Sequence, residues 1–392
     1  IILQENLLGV GANVQFINNN FGRSANRSAT TLRYSTELDT KGEFVKTRQA
    51  SISHTIQFPK PIPNVKWLSE KYRDKFGTNL TFSLANTDRN DFYNLTSLNS
   101  SLTYSTQWNN KSAFLKFPNV EFAHVLKRDS LERFLDSFPT LRNVFPDNGL
   151  VLSIQGGFTV RWGKGKSTQI FKTNGEVSGL PEIINIKLLD EQFKFIRLDA
   201  EYINNFSLGK RNLILRGYIG AGFAMKTKER PTNPQLPFFK QFTAGGPYSM
   251  RAWGLRLLGP GSTLKYRKDA PIRFGDFQLE FNGEYRFPLT RLWGYRVASC
   301  LFADVGNVWF INENPDFPNG NLTENFYKDL AVGIGTGLRF DFDFIKVRLD
   351  YGLKVKNPTP EPSNAQFQNK FFADFKPFGG IVQIGINYPF AF

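Results

Sequence analysis

Along residues 277–287, FQLEFNGEYRF, apolar and polar side chains alternate one by one. Phe277, Leu279, Phe281, Tyr285 and Phe287 share one face, and Gln278, Glu280, Asn282, Glu284 and Arg286 share the other. Residues 345–355 divide the same way, Ile345, Val347, Leu349, Tyr351, Leu353 and Val355 against Lys346, Arg348, Asp350 and Lys354. In the C-terminal stretch IVQIGINYPFAF, Val382, Ile384, Ile386, Tyr388, Phe390 and Phe392 fall together. Successive side chains of a strand point to opposite faces, so a period of two sustained this long predicts two-faced β-strands. Fifteen stretches carry the pattern: 7–17, 28–38, 46–58, 77–89, 95–108, 112–124, 148–162, 167–180, 192–206, 211–225, 274–287, 294–310, 329–343, 344–356 and 379–392. Only 128–138, RDSLERFLDSF, spaces Leu131, Phe134, Leu135 and Phe138 as a helix does, and it predicts a short helix within a loop.

An all-β chain of this kind has two ways to use its strands. A soluble sandwich or barrel buries the apolar face. A membrane barrel turns that face to lipid and keeps the charged one around a wet interior. Three features favour the membrane barrel. The strands exceed the five or six residues usual in soluble sheets. Their polar faces are heavily charged, yet include glycines where a plug can approach. Aromatics gather near strand ends, at Trp253, Trp293, Trp309, Tyr388 and Phe390, where interfacial girdles form. A mean hydropathy of −0.33 does not oppose this, because no single strand needs the roughly 18 consecutive apolar residues of a spanning helix. Phe392 ends an aromatic-rich last strand, as is common in bacterial outer-membrane barrels. The reading is an outer-membrane barrel occupying residues 1–392.

One segment interrupts the regularity. The loop of about 227–273 is far longer than the turns around it, and loops beyond about 15 residues are usually functional or disordered. Its centre, GGPYSMRAWGLRLLGPG, mixes Met250, Trp253, Leu255, Leu257 and Leu258 with Arg251 and Arg256. Those apolar side chains need a surface to pack on, and the barrel's own interior is nearest. Arg251 buried there needs carboxylates, since an unpaired buried charge is strongly disfavoured. The neighbouring strands offer Glu280 and Glu284 on one, and Asp304 sharing a face with Cys300 and Phe302 on the next. A planar guanidinium can pair bidentately with such an acid and pin the loop.

The sequence GGPYSMRAWGLRLLGPG, followed by a strand ending EYRFP and then FADVGNVW, resembles the BamA/TamA superfamily of outer-membrane assembly and translocation barrels. The resemblance implies sixteen antiparallel transmembrane strands and a sixth extracellular loop folded back into the lumen. It also implies an arginine at the loop tip that meets a Phe-x-Asp motif and a glutamate on adjacent strands. Carried over, the loop-lock motif is Gly245, Gly246, Arg251, Ala252 and Trp253, and its partners are Glu284, Phe302 and Asp304. Ala252 stands where the family has glycine and Trp253 where it has Phe or Tyr; this form, with LGPG after it, is similar to the TamA-like lipoprotein branch of Bacteroidota (TamL). The resemblance makes IILQEN the stump of the first strand, and it leaves the family's periplasmic POTRA domains without a counterpart in these residues. It further implies a weakly paired seam between first and last strands, where an incoming strand adds to the edge. Gly379, Gly380, Gly385 and Phe392 are the seam candidates of the last strand.

Function follows in outline. The expected role is insertion or folding of other barrels at that seam, in the bacterial outer membrane, without nucleotide, cofactor or metal. The expected partners are unfolded outer-membrane β-barrel substrates, the bilayer with its lipopolysaccharide, and periplasmic or lipoprotein assembly subunits. The formal charge of +15 raises a second reading, a passive or gated anion-preferring pore lined by Arg216, Arg286, Arg296, Lys346 and Arg348. A third, a barrel anchoring an enzyme, finds no enzymatic residues here. WGKGKST (162–168) lacks the first glycine of a phosphate loop, with Val160 in its place, and reads as a hairpin turn. His54 and His124 lie 70 positions apart, and the lone Cys300 forbids an intrachain disulfide. Neither a triad nor a zinc site has material. Basic and aromatic residues do not alternate in one patch, so nucleic acid is a poor fit.

Overall fold

In a computed structural model the described residues are 8–38, 45–63, 75–179, 192–226, 234–264, 273–342, 345–360, 362–373 and 375–390. They form one antiparallel sheet of 15 strands in sequence order. In order these are β1 (Leu8–Phe21), β2 (Asn26–Leu38), β3 (Val45–Phe58), β4 (Phe76–Arg89), β5 (Tyr93–Trp108) and β6 (Lys111–Lys127). Then come β7 (Asn148–Lys164), β8 (Ser167–Ser178), β9 (Phe195–Leu208), β10 (Arg211–Ala224) and β11 (Phe277–Leu292). The last are β12 (Tyr295–Trp309), β13 (Ala331–Asp341), β14 (Lys346–Lys356) and β15 (Ile381–Ile386). A helix, α1 (Asp129–Ser137), sits between β6 and β7 and buries Leu131 and Leu135. Each of the fifteen expected stretches overlaps one observed strand.

All the two-residue links lie at one end of the sheet. They include Gly165–Lys166, Gly209–Lys210 and Trp293–Gly294, with positive φ at Gly165, Gly209, Trp293 and Gly294, as tight hairpins require. The longest connections lie at the other end. There α1 packs with Leu141, Phe145, Phe274, Phe310 and Phe317 into an apolar cap.

Burial is inverted relative to a soluble β-protein. On β11, Glu280 and Glu284 are 0% and 1% exposed, while Phe281 between them is 52% exposed. On β12, Asp304 is fully buried and Leu301 is 55% exposed. On these two strands the face that meets solvent or lipid is thus the apolar one, and the charged face is covered by the chain itself. Water would penalise that arrangement, whereas a bilayer favours it.

The strands' ends depart from expectation at the C-terminus. β15 stops at Ile386, and Asn387 takes a left-handed φ of 61° that turns the chain off the sheet. Tyr388 and Phe390 therefore do not continue the face of Ile384 and Ile386. Phe390 is buried against Ile203 of β9 and Ile214 of β10, so the sheet curves far enough for its end to reach them. Tyr388 lies over Arg286, 4.1 Å from the guanidinium. The aromatic girdle is also narrower than expected. Trp253 is buried within the β10–β11 loop and Trp309 against Phe277 and Phe326, each in an apolar enclosure, whereas Trp293 is 87% exposed at a tight turn. The IILQEN stump and Phe392 fall outside the described residues.

Candidate functional site

Between Ala244 and Leu258 the β10–β11 loop closes on itself. These two residues bridge, Gly246 N–H donates to Trp253 O (3.0 Å), and Ser249 Oγ accepts from Gly245 N–H (3.1 Å). Gly245 and Gly246 have φ of 106° and 97°. A Cβ on Gly245 would stand 2.3 Å from Gly254 O, so the lobe needs glycine there on both counts.

The lobe presents Arg251 to the charged face. Its side chain is fully buried. Nε donates to Asp304 Oδ2 (2.9 Å), Nη2 to Asp304 Oδ1 (2.8 Å), and Nη1 to Glu284 Oε2 (2.5 Å). The Arg251 backbone N–H also donates to Asp304 Oδ2 (3.0 Å), and the guanidinium lies 3.7 Å from the Phe302 ring centre. One arginine thus ties the loop to both β11 and β12. Around it, Asn282 bridges Asp304 (2.9 Å) and Ser249 O (3.1 Å), and Glu284 takes further bonds from Arg286 (2.7 Å) and Arg339 (3.3 Å). The network continues to Asp350, which pairs with Arg339 and Arg348 at 2.6 Å each.

Small residues make the approach possible. Ala252 rests against Gly333 of β13, where a Cβ would lie 2.7 Å from the Ala252 Cβ, and Trp253 covers the same glycine. A Cβ on Gly352 of β14 would lie 2.7 Å from Arg251 O. The lobe therefore sits directly on the backbone of two strands.

Several contacts had no sequence signal. Gln383 of β15 donates to Trp253 O (2.8 Å), Tyr248 donates to Ile386 O (2.6 Å), and Arg348 donates to Pro247 O (2.6 Å). The lobe touches the last strand at two places. A second anchor lies across the charged face: Lys240 Nζ meets Glu121 Oε2 and Glu176 Oε1 at 2.9 Å each, linking the loop to β6 and β8. Of the seam candidates, Gly379 and Gly380 precede β15, and Gly385 leaves room for Arg348, whose Nε would stand 2.3 Å from its Cβ.

The cationic residues considered for a pore are largely matched by acids: Arg216 with Glu201 and Glu280, Arg286 with Glu284, Lys346 with Asp341, and Arg348 with Asp350. Arg296 is exposed. His54 bonds Thr30 and His124 bonds Asn148, each at 2.8 Å, and Cys300 is buried beside Arg339. Among the described residues no cluster of three or more His, Cys, Asp or Glu could hold a metal ion.

Just before β11, Asp276 is buried, and burial pushes its carboxyl up to about 7; bonds from Gln241 and from the Ile311 and Leu236 amides offset part of that. As pH rises from about 4 toward 7 the unfolded chain loses this proton while the folded one keeps it, so the fold is progressively destabilised; above 7 the penalty is constant. Melting temperature should therefore fall from about pH 5 to about pH 7 more steeply in the wild type than in Asp276→Asn. Equal slopes would show that the carboxyl is already ionised in the folded chain.

A family model described as the Omp85 superfamily domain matches residues 6–371. The outer membrane protein assembly factor BamA of Neisseria meningitidis serogroup B is 29% identical over 176 residues, covering 43% of this chain and 21% of that protein. The chain thus matches about a fifth of that relative's length. Two solved structures share the fold. BamA from Haemophilus ducreyi lacking POTRA domains 1–3 has a TM-score of 0.58 at 15% identity, over 90% of this chain and 68% of that one. CdiB from Acinetobacter baumannii has a TM-score of 0.52 at 12% identity, over 90% and 55%. With the family model spanning nearly all of it, the chain belongs to the Omp85 superfamily and is a β-barrel protein of the bacterial outer membrane.

Proposed function

We propose that this chain is the barrel of an outer-membrane assembly factor of the TamA-like kind, and that it inserts or folds substrate β-barrel proteins at its last strand. On this reading a sixteenth strand closes the sheet into a barrel over residues 1–392, the charged face lines its lumen, and the β10–β11 loop is locked inside by Arg251. The observation that supports it best is the fully buried Arg251 joined to Glu284 and Asp304, with Tyr248 and Gln383 carrying the same lobe onto β15. A lobe that grips the last strand can govern how readily its edge is offered. β15 pairs over only six residues, Val347–Gly352 with Ile381–Ile386, and its other edge has no partner among the described strands. Such an edge is a template for strand addition. The energy comes from the substrate's own folding, and the partners on this reading are unfolded barrels, lipid with lipopolysaccharide, and periplasmic or lipoprotein subunits.

A pore lined by free cations is less well supported, since most of those cations are paired with acids and the loop lies across the same face. The seam makes a specific prediction. A photo-crosslinker at Ile384, and separately at Ile386, should capture an arresting substrate barrel through its terminal strand, in antiparallel register. Capture confined to charged-face positions such as Arg216 would contradict strand addition.

A further inference from the structure

The line of the last strand is interrupted. Residues 369–372 run antiparallel to the end of β14: Asn369 N–H donates to Asn357 O (3.1 Å), Phe372 N–H donates to Val355 O (2.7 Å), and Lys356 bridges Phe371. β15 resumes at Ile381 opposite Gly352. Between these two stretches the chain leaves the sheet, and Tyr351 shows the direction it takes. Tyr351 alternates with the buried Arg348 and Asp350 and so shares the outward face with Leu349, which is 37% exposed. Its hydroxyl donates to Pro377 O (2.8 Å) and accepts from Gly380 N–H (3.0 Å). Gly380 permits this, because a Cβ there would stand 2.5 Å from the Tyr351 ring. The excursion is thereby fastened over the apolar outer face, beside the edge of β15 that has no partner among the described strands.

What it displays is aromatic. Phe371 and Phe372 are 59% and 61% exposed, and Phe378 is 91% exposed. Lys370 and Lys376 are exposed beside them. The cluster lies at the loop end of β14 and β15, strands whose outer faces also expose Leu349, Ile384 and Ile386. Aromatic rings with flanking basic residues, at the level where strands leave the hydrocarbon, suit the bilayer interface. A patch this apolar facing water would instead be a liability.

We propose that Phe371, Phe372 and Phe378 form a wedge that enters the adjacent lipid leaflet beside β15, with Lys370 and Lys376 against lipid phosphates. The wedge depends on membrane residence and not on the assembly reading.

The test places a nitrobenzoxadiazole dye at Phe378→Cys, with Phe372→Cys as a second site; the native Cys300 is fully buried and should remain unlabelled in the folded protein. Folding is checked by heat-modifiable migration. The protein is reconstituted in phosphatidylcholine–phosphatidylglycerol vesicles carrying shallow or deep nitroxide-labelled lipids. Blue-shifted emission, quenched by shallow nitroxides and shielded from aqueous iodide, is the expected result. It should weaken when phosphatidylglycerol is omitted or when Lys370→Glu and Lys376→Glu are combined. Full iodide quenching without nitroxide quenching would overturn the proposal. So would shielding that appears only when an unfolded barrel is added, which would assign the patch to a protein partner. Neither readout involves insertion activity, so this proposal can fail while the assembly reading stands, and the reverse.

Discussion

Arg251→Ala should release the β10–β11 loop and lower stability by about 3–5 kcal/mol, the usual cost of removing one partner from a buried ion pair. The loss falls unevenly on the two acids. Glu284 keeps Arg286 and Arg339, but Asp304 keeps only Asn282 and the backbone N–H of residue 251 among the bonds described. Asp304→Asn should therefore recover more of the Arg251→Ala deficit than Glu284→Gln does. Arg251→Lys should recover little, because an ammonium cannot reproduce the paired Nε and Nη2 bonds to Asp304 together with the Nη1 bond to Glu284. Denaturant titrations of the reconstituted protein check all four variants. Wild-type stability in Arg251→Ala would mean the loop is held by packing alone.

Gly352→Leu attacks the same docking from the opposite side and leaves every charge in place. Its side chain would have to occupy space held by the Arg251 carbonyl and the Ala252 backbone, with atoms already within 2.7 to 2.9 Å of the first carbon. The strand itself tolerates leucine better than glycine. The expected result is a sheet that still assembles with its lobe expelled, at a cost no smaller than the about 3–5 kcal/mol of Arg251→Ala, because the expelled lobe takes Arg251 away from Glu284 and Asp304. Trypsin cleavage after Arg251, whose side chain is inaccessible in the native chain, reports the expulsion. Continued resistance at that bond would show that the lobe accommodates the side chain by shifting, not by leaving.

Much of this architecture was legible because a strand's period of two is written locally. Glu280, Glu284 and Asp304 could be placed on one face from alternation alone, and the tight hairpins announce themselves through residues such as Gly165 and Gly209. Glycines on the polar faces were legible as a class, though 333 and 352 were not singled out. Their use was not legible, because which backbone approaches them depends on the path of a long loop. The same limit hid Lys240, which finds Glu121 and Glu176 across 119 and 64 residues of chain. Alternation also misled at the end. Tyr388 and Phe390 kept the apolar phase of Ile384 and Ile386, but a single left-handed residue at Asn387 rotated them onto the charged face, where Phe390 found Ile203 and Ile214. Trp253 and Trp309 were read as girdle residues from their positions near strand ends, yet long loops above those ends supply an apolar enclosure that no local pattern records.

On the proposed function this barrel speeds the insertion of other barrels, and the docked loop makes it competent to do so. The most direct measurement reconstitutes wild type and Arg251→Ala in liposomes, delivers an unfolded barrel with a periplasmic chaperone, and times the appearance of protease-resistant substrate. Insertion faster with wild type than with empty liposomes, and loss of most of that gain in the variant, are the expected results. No acceleration by wild type, together with single-channel currents that grow when Arg251 is removed, would contradict the proposed function and identify the loop as the gate of a pore.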